Sequence, residues 1–151
     1  MSIATRLRDL NITLPDAPAP AANYVPYVQT GNLLFVSGQI SSGPDGLIKG
    51  RLGADMDVTQ GAAAARACGL ALLAQANAAL GSLDRVARVV KLTGFVASTP
   101  DFTDQPEVVN GCSDLMVEVF GDKGRHARAA VSAAALPRGV AVEIEAIFEI
   151  A

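Results

Sequence analysis

The 151-residue chain has no tryptophan, a single histidine, two cysteines and no run of lysine or arginine. His126 and the widely separated Cys68 and Cys112 cannot be arranged into the ligand spacing of a zinc or iron–sulfur centre, so no metal and no cofactor are expected. Both cysteines fall inside helical patterns, where they read as small buried apolar side chains. Twelve Lys and Arg against fifteen Asp and Glu leave a net charge of −3, and the pI is near 5.0. Such a balance supplies no footprint for a phosphate backbone, and nucleic acid is not expected as a partner. The N-terminal segment MSIATRLRDLNITLP interleaves charges with single apolar residues and lacks a secretory h-region, which predicts a cytoplasmic location and leaves the Asn11-Ile12-Thr13 sequon without a glycan. Gly61 to Leu80 has the length of a membrane span, but Arg66, Gln75, Asn77 and its many alanines read as a soluble helix, so no membrane is expected. The glycine-rich nucleotide strings, the nucleophile elbow of acyl hydrolases and the paired histidines of zinc proteases are all missing.

What is present is an apolar half of the composition, enough for one domain over residues 1–151, with 1–23 as an N-terminal arm. Ser2 caps a short helix to Leu10, and the prolines of Leu14 to Pro20 make an extended connector. Tyr24 to Gln29 and Leu33 to Ile40 flank Thr30-Gly31-Asn32 as a hairpin. The run Leu33 to Val36 does not alternate, which implies a strand covered on both faces, the second cover being another subunit. Asp57 and Gln60 form a capping box for a helix that ends at Leu80 before Gly81, with Ala65, Gly69, Leu72, Ala76 and Leu80 as its sheet-facing stripe. Val86 to Ala97 reads as a long strand, with Val90, Leu92 and Val96 sharing a face. Thr99-Pro100-Asp101 reads as the start of a second helix to Phe120, kinked or delayed by Pro106. Strands follow over Ala127 to Ala134 and over Val142 to Ile150, the latter with a period of two. The order predicts an α+β two-layer domain, one mixed sheet with two helices on one face. Phe35, Val36, Phe95 and Ile147 would leave the other face too apolar for water, and a closed homo-oligomer is expected.

One constellation carries chemistry. Arg128 enters a strand that precedes, across the Pro137-Arg138-Gly139 turn, the strand bearing Glu143 and Glu145, and in an antiparallel pair Arg128 and Glu143 would be near each other. The guanidinium fork matches a carboxylate, and a neighbouring glutamate can orient or deprotonate water, which suits hydrolysis of a small carboxylic acid. A cross-strand ion pair is the commoner outcome of the same placement. His126 reads as a proton shuttle or a polar surface residue, and Tyr27 as a ligand contact or a packing side chain.

Pro26-Tyr27-Val28, Val36-Ser37-Gly38-Gln39-Ile40, Ala127-Arg128, and Leu136-Pro137 followed by Val142-Glu143-Ile144-Glu145-Ala146-Ile147 resemble the YjgF/UK family, also called RidA, in collinear order from Tyr27 to Ile147. The resemblance implies a chorismate-mutase-like fold, a homotrimer and ligand clefts between subunits. For the family's deaminases it implies hydrolysis of 2-imino or 2-enamino acids to 2-keto acids and ammonia. By resemblance Arg128 grips the substrate carboxylate, Glu143 places water, Tyr27 contacts substrate, Gly38 lets backbone approach it and Asn110 supports the cleft. His126 stands where the family usually has proline, and Ala130 where its deaminases often have cysteine. The implied partners are a small carboxylate metabolite and other copies of the chain. The competing readings are a non-catalytic trimeric module that binds small carboxylates and, after the family's other name, an endoribonuclease L-PSP.

Overall fold

The computed structural model describes residues 1–20 and 22–151. Helix α1 (Ile3–Asp9) starts where Ser2 Oγ accepts the backbone N–H of Thr5 at 3.1 Å. The Ile3 N–H donates to Asp84 Oδ1 at 2.7 Å and Arg6 Nε donates to the Glu118 carbonyl at 2.6 Å, tying this short helix to the body of the chain. Strand β1 (Tyr27–Thr30) turns through Gly31, at φ +57°, into β2 (Leu33–Ile40). A small hairpin, β3 (Ser42–Gly43) and β4 (Gly46–Leu47), follows.

Helix α2 (Val58–Leu80) opens on the expected capping box, Asp57 Oδ1 accepting the Gln60 N–H at 2.8 Å and Gln60 Oε1 accepting the Asp57 N–H at 2.9 Å, and closes on Gly81 in the left-handed region. By length and composition it could cross a membrane, but its apolar surface is mostly buried inside the molecule. All five residues of the expected stripe are buried. Strand β5 (Val86–Ala97) leads into α3 (Gln105–Phe120), then β6 (Ala127–Ala133) and β7 (Val142–Ile150). Pro106 lies in the first turn of α3, so it delays the helix. Thr99 and Asp101 instead bond each other in the preceding turn, Thr99 Oγ1 donating to Asp101 Oδ1 at 2.7 Å.

The main sheet has the order β1-β2-β7-β5-β6, antiparallel except for β5 and β6, which run parallel with α3 as their crossover. Both long helices cover one face, as expected of a mixed α+β layer. Their close approach depends on missing side chains: a Cβ on Gly111 would run into the Ala62 carbonyl of α2, and one on Gly94 would press on Val109 of α3. Strand β7 buries Val142, Ile144, Ala146, Phe148 and Ile150 against the helices, with the period of two intact.

Three expectations are corrected. Strands β6 and β7 are not neighbours, because β5 lies between them and bonds both. Val36 faces the core, and it is Phe35, 40% exposed, that points away from the helices, so the Leu33 to Val36 run is covered on one face only within the chain. A register shift between Val89 and Lys91 puts Val89 in the core in place of Val90, which explains the broken alternation there.

Candidate functional site

The predicted residues other than Tyr27 fall into two groups. The first surrounds Glu143. The register of β2 against β7 slips between Val36 and Gln39, and the Glu143 carboxylate lies over the extra backbone at Ser37-Gly38, where a Cβ on Gly38 would overlap it. A side chain at position 38 would displace the Glu143 carboxylate, so the glycine leaves that group its place. Gly38 and Glu143 share the lining of a cavity of about 1490 Å³ with Arg138, Gln39, Gln75 and the proline-rich connector. Gln75 Nε2 donates to the Pro18 carbonyl at 2.6 Å, fastening that connector to α2. Glu143 is half-buried, and its pKa is raised above the ordinary glutamate value first by that burial and then by the negative charge of Glu145.

The second group surrounds Arg128. Its Nη1 donates to Asn110 Oδ1 at 2.8 Å and to Ser113 Oγ at 3.2 Å, both on α3. Ser113 Oγ in turn lies 2.8 Å from His126 Nε2, and His126 Nδ1 lies 2.6 Å from the Gly124 carbonyl. Ser113, Asp114, Arg125, His126 and Arg128 line a shallow depression of about 290 Å³. Burial, and secondarily the positive charge of Arg128, hold the His126 pKa below the usual histidine value. Among the described residues the ion pairs are Arg66–Glu118 and Arg125–Asp122, and Arg128 has no carboxylate partner.

The antiparallel neighbourhood of Arg128 and Glu143, and with it the ordinary ion-pair reading, is therefore overturned. Arg128 sits opposite Leu92, which sits opposite Ala146, three residues along β7 from Glu143. Two strand spacings and three residues of rise separate the two positions by about 14 Å, with their side chains on opposite faces of the sheet. Tyr27 is in the same row as Arg128, through Val36, Ala146 and Leu92, but at the far edge, about 19 Å away by strand spacing. It is half-buried and packs against the core, and Tyr24, not Tyr27, lines the cavity. Thus one chain joins Gly38 to Glu143 and Asn110 to Arg128, and leaves the two pairs apart.

Ser113 was missed by sequence reasoning. The signal was available, since positions 110 and 113 share a helix face, but a lone serine in an apolar helix carries no motif. The cysteines behave as expected: burial pushes the Cys112 thiol up to about 12 and raises that of Cys68, which leaves both protonated and inert.

A mixed sheet roofed on one face by two helices, with an arginine on its edge strand β6 and a glutamate on its central strand β7, defines a class of small two-layer α+β proteins. Within that class the chain belongs to the Endoribonuclease L-PSP family, the YjgF/RidA family, whose sequence model matches residues 14–150. It is 55% identical over 150 residues to Protein TCP17 of Trypanosoma cruzi, covering 98% of this chain and 94% of that one. A crystal structure of a protein of unknown function from Agrobacterium tumefaciens is 49% identical, with a TM-score of 0.91 over 99% of this chain and 92% of the other. Another, from Shewanella oneidensis, is 32% identical with a TM-score of 0.95, covering 99% and 100%.

Proposed function

We propose that this chain hydrolyses reactive 2-imino and 2-enamino acids to 2-keto acids and ammonia, in clefts completed by a second copy of the chain within a closed homo-oligomer, a homotrimer by the family resemblance. The observation that carries this reading is Arg128, a guanidinium held by two neutral acceptors and, among the described residues, left without a counter-ion. Such a group is poised for an incoming carboxylate. The separation of Arg128 from Glu143 within one chain supports a cleft that draws the two from different copies. The exposed apolar side chains of Val28, Phe35 and Val131 on the open sheet face support the same assembly. A net charge of −3 favours a small anion over an RNA backbone.

In the proposed reaction the substrate carboxylate rests on Arg128, and an enamine first tautomerises to the imine. Water adds to C2 of the protonated imine while Glu143 takes one of its protons. The resulting carbinolamine is protonated on nitrogen by Glu143, the C–N bond breaks as the C=O forms, and the hydroxyl proton leaves with the amine. Both hydrogens of the water end on ammonium and its oxygen ends on the keto acid. A glutamate with a raised pKa is the better base for this exchange.

The test generates 2-iminopropanoate and 2-iminobutanoate in situ with an amino-acid oxidase and traps surviving imine with semicarbazide. Wild type should suppress the trapped product, and Arg128→Ala, folded and assembled as wild type, should not. No suppression by folded wild type would overturn the reaction. The open guanidinium would then serve the competing role of a module that binds small carboxylates without turnover.

A further inference from the structure

We infer that Ser113 and His126 are positioning residues that fix which edge of the Arg128 guanidinium receives a carboxylate; this rests on reading Arg128 as the carboxylate anchor. The chain of bonds around Arg128 determines the place of each hydrogen. A carbonyl oxygen only accepts, so the 2.6 Å contact to Gly124 puts the proton of a neutral His126 on Nδ1. Nε2 then has a free lone pair, and the Ser113 hydroxyl 2.8 Å away donates to it. With its hydrogen committed, Ser113 Oγ turns lone pairs toward Arg128 and accepts from Nη1 at 3.2 Å. The second hydrogen of Nη1 goes to Asn110 Oδ1 at 2.8 Å.

Both hydrogens of Nη1 are thereby used. The end-on fork of the guanidinium, which needs one hydrogen from each terminal nitrogen, is closed to a ligand. The side-on fork of Nε and Nη2 remains, and among the described residues neither nitrogen has a partner. Two parallel N–H groups at that edge match the two oxygens of a carboxylate. The relay depends on a neutral His126, which its half-buried position beside Arg128 favours; Arg125 and Asp114 are the other charged groups lining this depression. Removing either Ser113 or the acceptor on His126 frees an Nη1 hydrogen or lets the hydroxyl turn, and the fork loses its single orientation.

Titration calorimetry with 2-oxobutanoate, the keto acid product, tests this on the full-length protein. A hydrogen bond to a charged group is worth enough that Ser113→Ala should weaken binding about tenfold. Ser113→Thr keeps the hydroxyl and should stay within about threefold of wild type, as should His126→Gln, whose side-chain oxygen can still accept from Ser113. His126→Phe should weaken binding as much as Ser113→Ala, and the double variant no more than either, because both break one relay. In turnover KM should rise with kcat nearly unchanged, whereas loss of structure would lower the melting temperature and kcat together. Wild-type binding in both Ser113→Ala and His126→Phe, or additive losses in the double variant, would overturn the inference. If wild type binds 2-oxobutanoate with this pattern yet suppresses no trapped imine, the hydrolase reading falls and the positioning role stands. If turnover is intact and indifferent to Ser113→Ala, the positioning role alone falls.

Discussion

Glu143 is held against the bare backbone of Gly38 and two residues from Glu145 on the same face of β7, so its ionisation carries information about its role. Burial is the larger cause of its raised pKa and the Glu145 charge the smaller. In the proposed reaction Glu143 takes a proton from water only as the carboxylate, so activity should rise with pH through the folded pKa of Glu143, above the ordinary glutamate value. Glu145→Gln removes the smaller cause and leaves the burial. The acid limb of kcat/KM for imine hydrolysis should move to lower pH, with the plateau unchanged and Glu143→Gln inactive throughout. A limb that stays in place or moves upward would remove Glu143 from the proton transfers. The residue scale was also the least legible in sequence. Asn110 and Gly38 entered only through the family resemblance, Tyr27 packs at a far edge, and Ser113 had no motif to mark it, because hydrogen-bond partners across a crossover depend on register and not on spacing along the chain.

Elements were legible wherever a local physical signal ended them. The Asp57 to Gln60 box, the left-handed Gly81 and the alternation of β7 place their boundaries from a few residues each. What failed was adjacency. The short link between β6 and β7 reads as a hairpin, yet a strand, helix and strand in succession need a parallel pair, and satisfying that demand inserts β5 between them. The same packing ranks two helix substitutions. Asp57→Ala removes one side-chain cap at an exposed helix start and should cost about 1 kcal/mol. Gly111→Ala drives a methyl group into the backbone carbonyl of Ala62, where no flexible side chain can yield, and should cost more, at about 1–3 kcal/mol as overpacking does. Chemical denaturation of both variants at equal protein concentration checks the order. Equal midpoints would mean that α2 and α3 can separate more easily than their glycine contact implies.

For the whole molecule, the decisive geometry is that one chain holds Arg128 and Glu143 about 14 Å apart, on opposite faces of one sheet. No side-chain rotation closes that gap, and bending the sheet would tear the ladder that β5 makes with both neighbours. The proposed cleft, in which Arg128 at the β6 edge of one copy meets Glu143 of the next, also accounts for the open face on which Val28, Phe35 and Val131 are 53%, 40% and 44% exposed. This arrangement predicts complementation. Protomers carrying Arg128→Ala and protomers carrying Glu143→Gln are each inactive alone. When the two are unfolded together in equal amounts and reassembled in a ring with a site at each junction, a junction is intact when its arginine side comes from the Glu143 variant and its glutamate side from the Arg128 variant. Each condition is met half the time, so about one quarter of wild-type activity should return. Sites contained within single chains would stay silent in the mixture, since every chain lacks one group. A mixture that assembles to the wild-type size and remains inactive would therefore return both groups to one chain, or remove one of them from the chemistry.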